Sequence, residues 1–111
     1  MRRLGIIYCA TNVTNGMVYV GQTNNYAKRI KEHIRYSYQK HRREYHTKFH
    51  EAIRTHGYGN FKWSILYMGV PESYIDIMEE WVIQNFNSLE NGYNAHRGGR
   101  TVNTKLTASV E

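Results

Sequence analysis

The sequence is short of covalent and metal staples. Its single cysteine, Cys9, cannot close an internal disulfide, and there is no CxxC pair to nucleate a zinc site. A chain of this kind is expected in a reducing, intracellular compartment. Long apolar runs are also missing. The apolar stretch that starts at Leu4 is interrupted by Thr11, Asn12 and Asn15, so it reads as neither a secretion signal nor a membrane span. Internal repeats and low-complexity segments are absent, and 111 residues leave no room for a second core. Hydrophobic residues make up 41% of the chain, but ten of them are tyrosines, so the core leans on amphipathic aromatics.

What is plentiful is positive charge. Fifteen Lys and Arg against nine Asp and Glu give a net charge of +6, which favours a polyanionic partner, most often nucleic acid. The charge is nonetheless modest for a protein that must hold DNA unaided, because non-specific affinity falls steeply with salt when few phosphates are neutralised. A basic loop, Lys40 to Arg43, and Arg97 with Arg100 beside Gly98-Gly99 are the candidate phosphate contacts, with Lys40, Arg42 and Arg43 in the loop.

Hydrophobic periodicity orders the chain. Leu4 to Ala10 and Met17 to Gly21 read as strands around Asn15-Gly16, a two-residue hairpin signal. That turn centre would set Tyr8 opposite position 23 and Tyr19 opposite Asn12. Thr23-Asn24-Asn25 offers cap residues for a helix from Tyr26 to about Tyr38. A second helix spans Thr47 to His56, and a third strand, Phe61 to Tyr67, shows a period of two. The last helix runs from about Ser73 to Phe86, and Asn91-Gly92-Tyr93-Asn94 is a closing turn. The order β-β-α-α-β-α predicts an α+β domain with a small antiparallel sheet, spanning residues 1–97, and a tail or linker from 98 to 111.

Some polar residues stand in awkward places. Glu79 lies on or beside the apolar line of Ile75, Met78, Val82 and Ile83, where a carboxylate is costly unless paired or metal-bound. Pattern alone leaves a structural salt bridge and a metal ligand as readings. Arg29 and His33 share a helix face with Tyr26, which would suit a phosphate as well as an ordinary solvated basic face. Tyr8 and Tyr19 read as strand packing residues. His46 and His50 have zinc-ligand spacing, but the sequence offers no convincing third ligand nearby.

Taken together, these residues resemble the GIY-YIG nuclease family over roughly residues 4 to 97. Its first motif stands here as Ile6-Ile7-Tyr8 and its second as Tyr19-Val20-Gly21. The glycine of the first motif falls at Ile6, with Gly5 one place earlier. Arg29, His33, Glu79 and Asn94 match the family's further positions, and His46 is similar to a histidine of its homing-endonuclease branch.

The resemblance implies a three-stranded antiparallel sheet flanked by helices, and hydrolysis of double-stranded DNA with one divalent cation, Mg2+ or Mn2+. It implies that Glu79 is the metal ligand and Arg29 the phosphate-charge stabiliser. Tyr8 or His33 would be the base, with Tyr19, His46 and Asn94 completing the site. In the phage-type homing endonucleases that the chain resembles most, a separate C-terminal region supplies most of the DNA affinity, which fits the modest charge. Repair and restriction nucleases share the module, and a basic nucleic-acid-binding module without catalysis is the reading from another class.

Overall fold

Asn12 sets the length of the first hairpin. Its carbonyl accepts the amides of Asn15 and Gly16, and its side chain accepts both the amide and the hydroxyl of Thr14. The loop therefore has four residues rather than two, and only Gly16 takes a positive φ, +77°. The expected register shifts by two places. Tyr8 pairs with Gly21 and Tyr19 with Ala10, instead of position 23 and Asn12.

The computed structural model describes residues 4–98. Its two hairpin strands are β1 (Leu4–Asn12) and β2 (Val18–Thr23). Helix α1 (Tyr26–Tyr36) starts where the Asn25 side chain accepts the Lys28 amide. A 3-10 turn over Arg43–His46 leads to α2 (Lys48–His56), capped by Thr47 on the His50 amide and stopped at Gly57. Strand β3 (Phe61–Pro71) runs longer than its alternation suggested, and α3 (Glu72–Phe86) ends at Asn87, whose φ of 52° is left-handed. One further turn, α4 (Ser88–Asn91), follows.

The sheet order is β2-β1-β3, all antiparallel, so β1 is central. The α+β class and the three-stranded sheet agree with the sequence reading. Pairing of β1 with β3 slips twice between Gly5 and Tyr8. Those irregularities surround Ile6, which is half-buried, while a Cβ at Gly5 would strike Ile75 of α3 at 2.7 Å.

Alternation along β1 divides the core. Ile7 and Cys9 join Val20, Val70, Ile75, Val82 and Ile83 under α3. Ala10 faces the other way, with Phe49, Ala52 and Ile53 of α2, Phe61 and Tyr93. Tyr8 shares that second face and is 1% exposed. Because β2 is an edge strand, groups from both layers meet around it. Asn94 closes that edge. Its amide donates to the Val20 carbonyl and its Oδ1 accepts the Val20 amide, each at 2.9 Å, as a further strand would. Among the described residues, no helix is long and apolar enough to cross a membrane.

Candidate active site

Gly21 makes room for the central side chain of the site. It lies opposite Tyr8, and a Cβ there would be 2.5 Å from the phenol oxygen. With that space open, the Tyr8 hydroxyl reaches His33 Nε2 at 2.6 Å. His33 projects inward from α1, stacks on Trp63 and is 1% exposed. Its Nδ1 meets His50 Nε2 of α2 at 2.8 Å. Tyr19 lies flat on Phe49, ring centroids 4.1 Å apart, and edge-on to His33.

Charge frames this aromatic cluster. Arg29, one turn before His33, holds Glu44 with both guanidinium nitrogens, at 2.9 and 3.3 Å, and reaches Glu32 at 3.2 Å. From α3, Glu79 is 8% exposed and accepts the Gln22 amide at 2.8 Å, an amide that Asp76 shares. Tyr19, Arg29, His33, Glu44, His50 and Glu79 line one recess of about 190 Å3.

Burial governs the proton affinities. It pushes the Tyr8 phenol well above its ordinary range, and Tyr19 adds to this while Arg29 opposes it. Tyr19 is raised by burial to about 12. His33 is lowered to about 2 by burial and by Arg29, and His50 to about 4, chiefly by burial, so both imidazoles are neutral near pH 7.

The residues singled out from sequence divide into groups. Tyr19, Arg29, His33 and Glu79 line the recess, and the buried Tyr8 joins them through its hydroxyl contact with His33. Asn94 lines it as well, but its amide is spent on the β2 backbone and on the Ser88 hydroxyl, so it braces the strand. His46 does not join them. It is exposed on the 3-10 turn with its ring against Tyr45, because Thr47 breaks the helix between it and His50. The zinc-like spacing of His46 and His50 is therefore not a shared helix face.

Lys40, Arg42 and Arg43 are exposed; Arg42 covers the Tyr36 ring at 4.1 Å. Arg97 is tied to Glu80 at 2.8 Å, and Arg100, like the rest of the tail beyond Gly98, lies outside the described residues. Sequence reading missed Glu44, His50 and Gln22 as members of the site. Glu44 carried no signal, standing among basic residues, and Gln22 none; His50 had one, an i+1 polar neighbour of Phe49 in a short amphipathic helix.

His33, Glu44 and His50 also bring three ligand-type atoms within 4.8 Å of one another. Arg29 already occupies the Glu44 carboxylate, and the two imidazoles share a proton. A cation would displace both interactions, so the trio is an ion pair and hydrogen-bond chain. Glu79, an oxygen donor on the opposite wall, fits a hard divalent cation better.

Tyrosines on the paired strands β1 and β2, with an arginine, two buried histidines and a glutamate brought in by the flanking helices, make this a phosphodiester-hydrolysing nuclease domain. The GIY-YIG catalytic domain model matches residues 4–94, and the chain belongs to that family. Among solved structures, it is similar to the catalytic domain of homing endonuclease I-TevI, with a TM-score of 0.71 and 30% identity over 83% of this chain and 98% of that one. A single-residue variant of the catalytic domain of intron endonuclease I-TevI gives a TM-score of 0.74 and 28% identity, over 85% and 95% of the two chains. No curated protein matches the sequence. Nucleases of this family are generally dependent on a divalent metal, and their substrate is DNA.

Proposed function

We propose that the chain is the catalytic module of a homing-type DNA endonuclease that uses Mg2+ or Mn2+. The convergence of Arg29, His33 and Glu79 on one recess, with Tyr8 bonded to His33 behind it, supports this reading most directly. Glu79 would hold the divalent cation, which would supply Lewis acidity to the scissile phosphate. Arg29 offsets charge on the phosphoryl group once substrate draws it from Glu44 and Glu32. Tyr8 or its partner His33 takes the proton of the attacking water, and Tyr19 completes the hydrogen-bonding wall. Asn94, which lines the same recess, acts by holding β2. His46 is assigned to DNA contact at the rim, together with Lys40, Arg42 and Arg43.

The modest net charge and the likeness to I-TevI catalytic domains support a separate DNA-binding region as a partner. The test is incubation of supercoiled plasmid with the protein and Mg2+, against an EDTA control. Relaxed or linear product only in the Mg2+ arm is expected. Intact plasmid with Mg2+ and with Mn2+ overturns the reading.

A further inference from the structure

Gln22 stands where the fold calls for an apolar side chain. Its partner across the hairpin is Ile7, and directly opposite residues share a face of the sheet. Ile7 belongs to the core under α3, as does Val20, two places before Gln22 on β2. The polar side chain at this position is spent on α3. Its Nε2 donates to Asp76 Oδ1 and to Glu79 Oε1, each at 2.8 Å.

A side-chain amide carries two N–H donors on its nitrogen, so these two carboxylates account for both. They also fix which way the amide faces. Turned over, its carbonyl oxygen would meet two further acceptors. Asp76 and Glu79 are three residues apart on α3, so they are neighbours on its surface, and like charges on neighbouring positions repel. The amide between them offsets that repulsion and ties both to the edge strand.

Glu79 is 8% exposed, and a carboxylate so deeply placed is costly unless hydrogen-bonded. Gln22 supplies such a bond without supplying charge. A lysine or arginine there would satisfy the carboxylate and neutralise it. An amide orients the carboxylate and contributes nothing against its attraction for a cation. A carboxylate has about four lone-pair sites, so an N–H at one is compatible with coordination at another. Gln22 and Asp76 are not among the described residues that line the recess, so they reach it through Glu79.

We propose that Gln22, anchored by Asp76, is a positioning residue that holds the Glu79 carboxylate in the orientation in which it meets the divalent cation. This rests on the nuclease reading above and adds a residue to its cation site. Hydrogen-bonding partners of a metal ligand typically control about 10–100-fold of the metal affinity.

The test is Mn2+ binding to the whole chain, with free Mn2+ read by EPR, alongside plasmid cleavage and thermal melts. Gln22→Met keeps the side chain's length and removes both donors. Its Mn2+ affinity is expected to fall about 10–100-fold. Cleavage should drop at the Mn2+ concentration that just saturates the wild-type chain, and recover when Mn2+ is raised by the same factor. A purely structural role for Gln22 gives no such recovery. Asp76→Ala, at a half-buried position, separates anchoring from direct action. It should weaken Mn2+ binding in the wild-type background and change nothing further in Gln22→Met, because it acts through Gln22. Wild-type Mn2+ affinity in Gln22→Met overturns the proposal. So does an Asp76→Ala effect that persists undiminished in Gln22→Met, which would make Asp76 a ligand itself. If the melt shows Gln22→Met unfolded, unchanged Mn2+ affinity in Asp76→Ala alone overturns the proposal, as does a wild-type chain that binds no Mn2+. A wild-type chain that binds Mn2+ and cleaves nothing fails the nuclease reading instead, while the titrations still report on Gln22.

Discussion

Arg29 and Glu44 form a two-point ion pair across the mouth of the recess, the guanidinium from α1 and the carboxylate from the 3-10 turn that precedes α2. The arginine that should meet phosphate is thus already engaged by an internal carboxylate. Substrate must compete with Glu44, and with Glu32, for the same fork of donors. Arg29→Ala is expected to slow cleavage 10²–10³-fold with little loss of DNA binding, measured by single-turnover rates and a binding titration. Arg29→Lys should recover only part of it, since an ammonium cannot reproduce two parallel contacts. Equal losses in rate and binding would make Arg29 a general phosphate clamp.

Glu79→Gln tests the metal. The substitution keeps shape and leaves Gln22 a carbonyl oxygen to donate to. Cleavage and cation binding should both disappear, with the melting temperature changed by the equivalent of no more than about 1 kcal/mol. Calorimetric titration of Mn2+ and the plasmid assay read the two losses separately. Surviving cleavage would exclude Glu79 as the metal ligand.

Gly21→Ala tests the space on which Tyr8 depends. The new methyl would press on the phenol oxygen and on the Tyr19 ring, which lies 3.0 Å from the same point. Overpacking of this kind costs about 1–3 kcal/mol. Cleavage should fall further than the melt alone explains, because Tyr8 must leave His33 to avoid the clash.

Two pH dependences follow from burial. A phenol raised above its ordinary range is protonated at neutral pH, so a Tyr8 base gives a rate that climbs about tenfold per pH unit well past neutrality. Tyr8→Phe should abolish it. Stability moves for a different reason. His33 and His50 have folded values near 2 and 4, below the unfolded value of about 6.5. Below pH 6.5 the unfolded chain binds more protons at these rings, so stability falls as the pH is lowered. Both rings contribute between pH 6.5 and about 4, and His33 alone from there towards 2. Melting temperature against pH should fall more gently in His33→Gln.

Asn94→Ala separates bracing from chemistry. It removes both bonds to Val20 and the one from Ser88, and it leaves buried backbone groups of β2 unpaired. A loss of about 2–4 kcal/mol is expected in denaturant unfolding. Activity per folded molecule should change much less than in Arg29→Ala.

Periodicity and turn chemistry carried most of the architecture. Phe61-Lys62-Trp63 alternates visibly, and Thr23 to Asn25 announces a helix. The hairpin register was not legible, because Asn15-Gly16 reads as the centre of a two-residue turn, while the turn-forming bonds of Asn12 to Thr14 and Gly16 depend on three-dimensional detail. Glu79 was conspicuous as a carboxylate on an apolar line. Glu44 was invisible, since one acid after Arg42 and Arg43 looks like charge balance. His50 was legible only as half of a pair with His46, and the cap at Thr47 turns the two apart. Pairing between segments distant in sequence, such as Arg29 with Glu44, leaves no periodic trace.

The central position of β1 has a consequence for how the site breathes. Tyr8 sits on the strand that is bonded on both sides, where amide exchange requires global opening. Glu44 sits on a single 3-10 turn between helices, with few backbone bonds of its own. That turn can open locally at far lower cost, and with it the hold on Arg29. Local opening of that turn would free Arg29 without unfolding the sheet, so exchange at Tyr45 and His46 should be faster than at Tyr8, where it tracks complete unfolding.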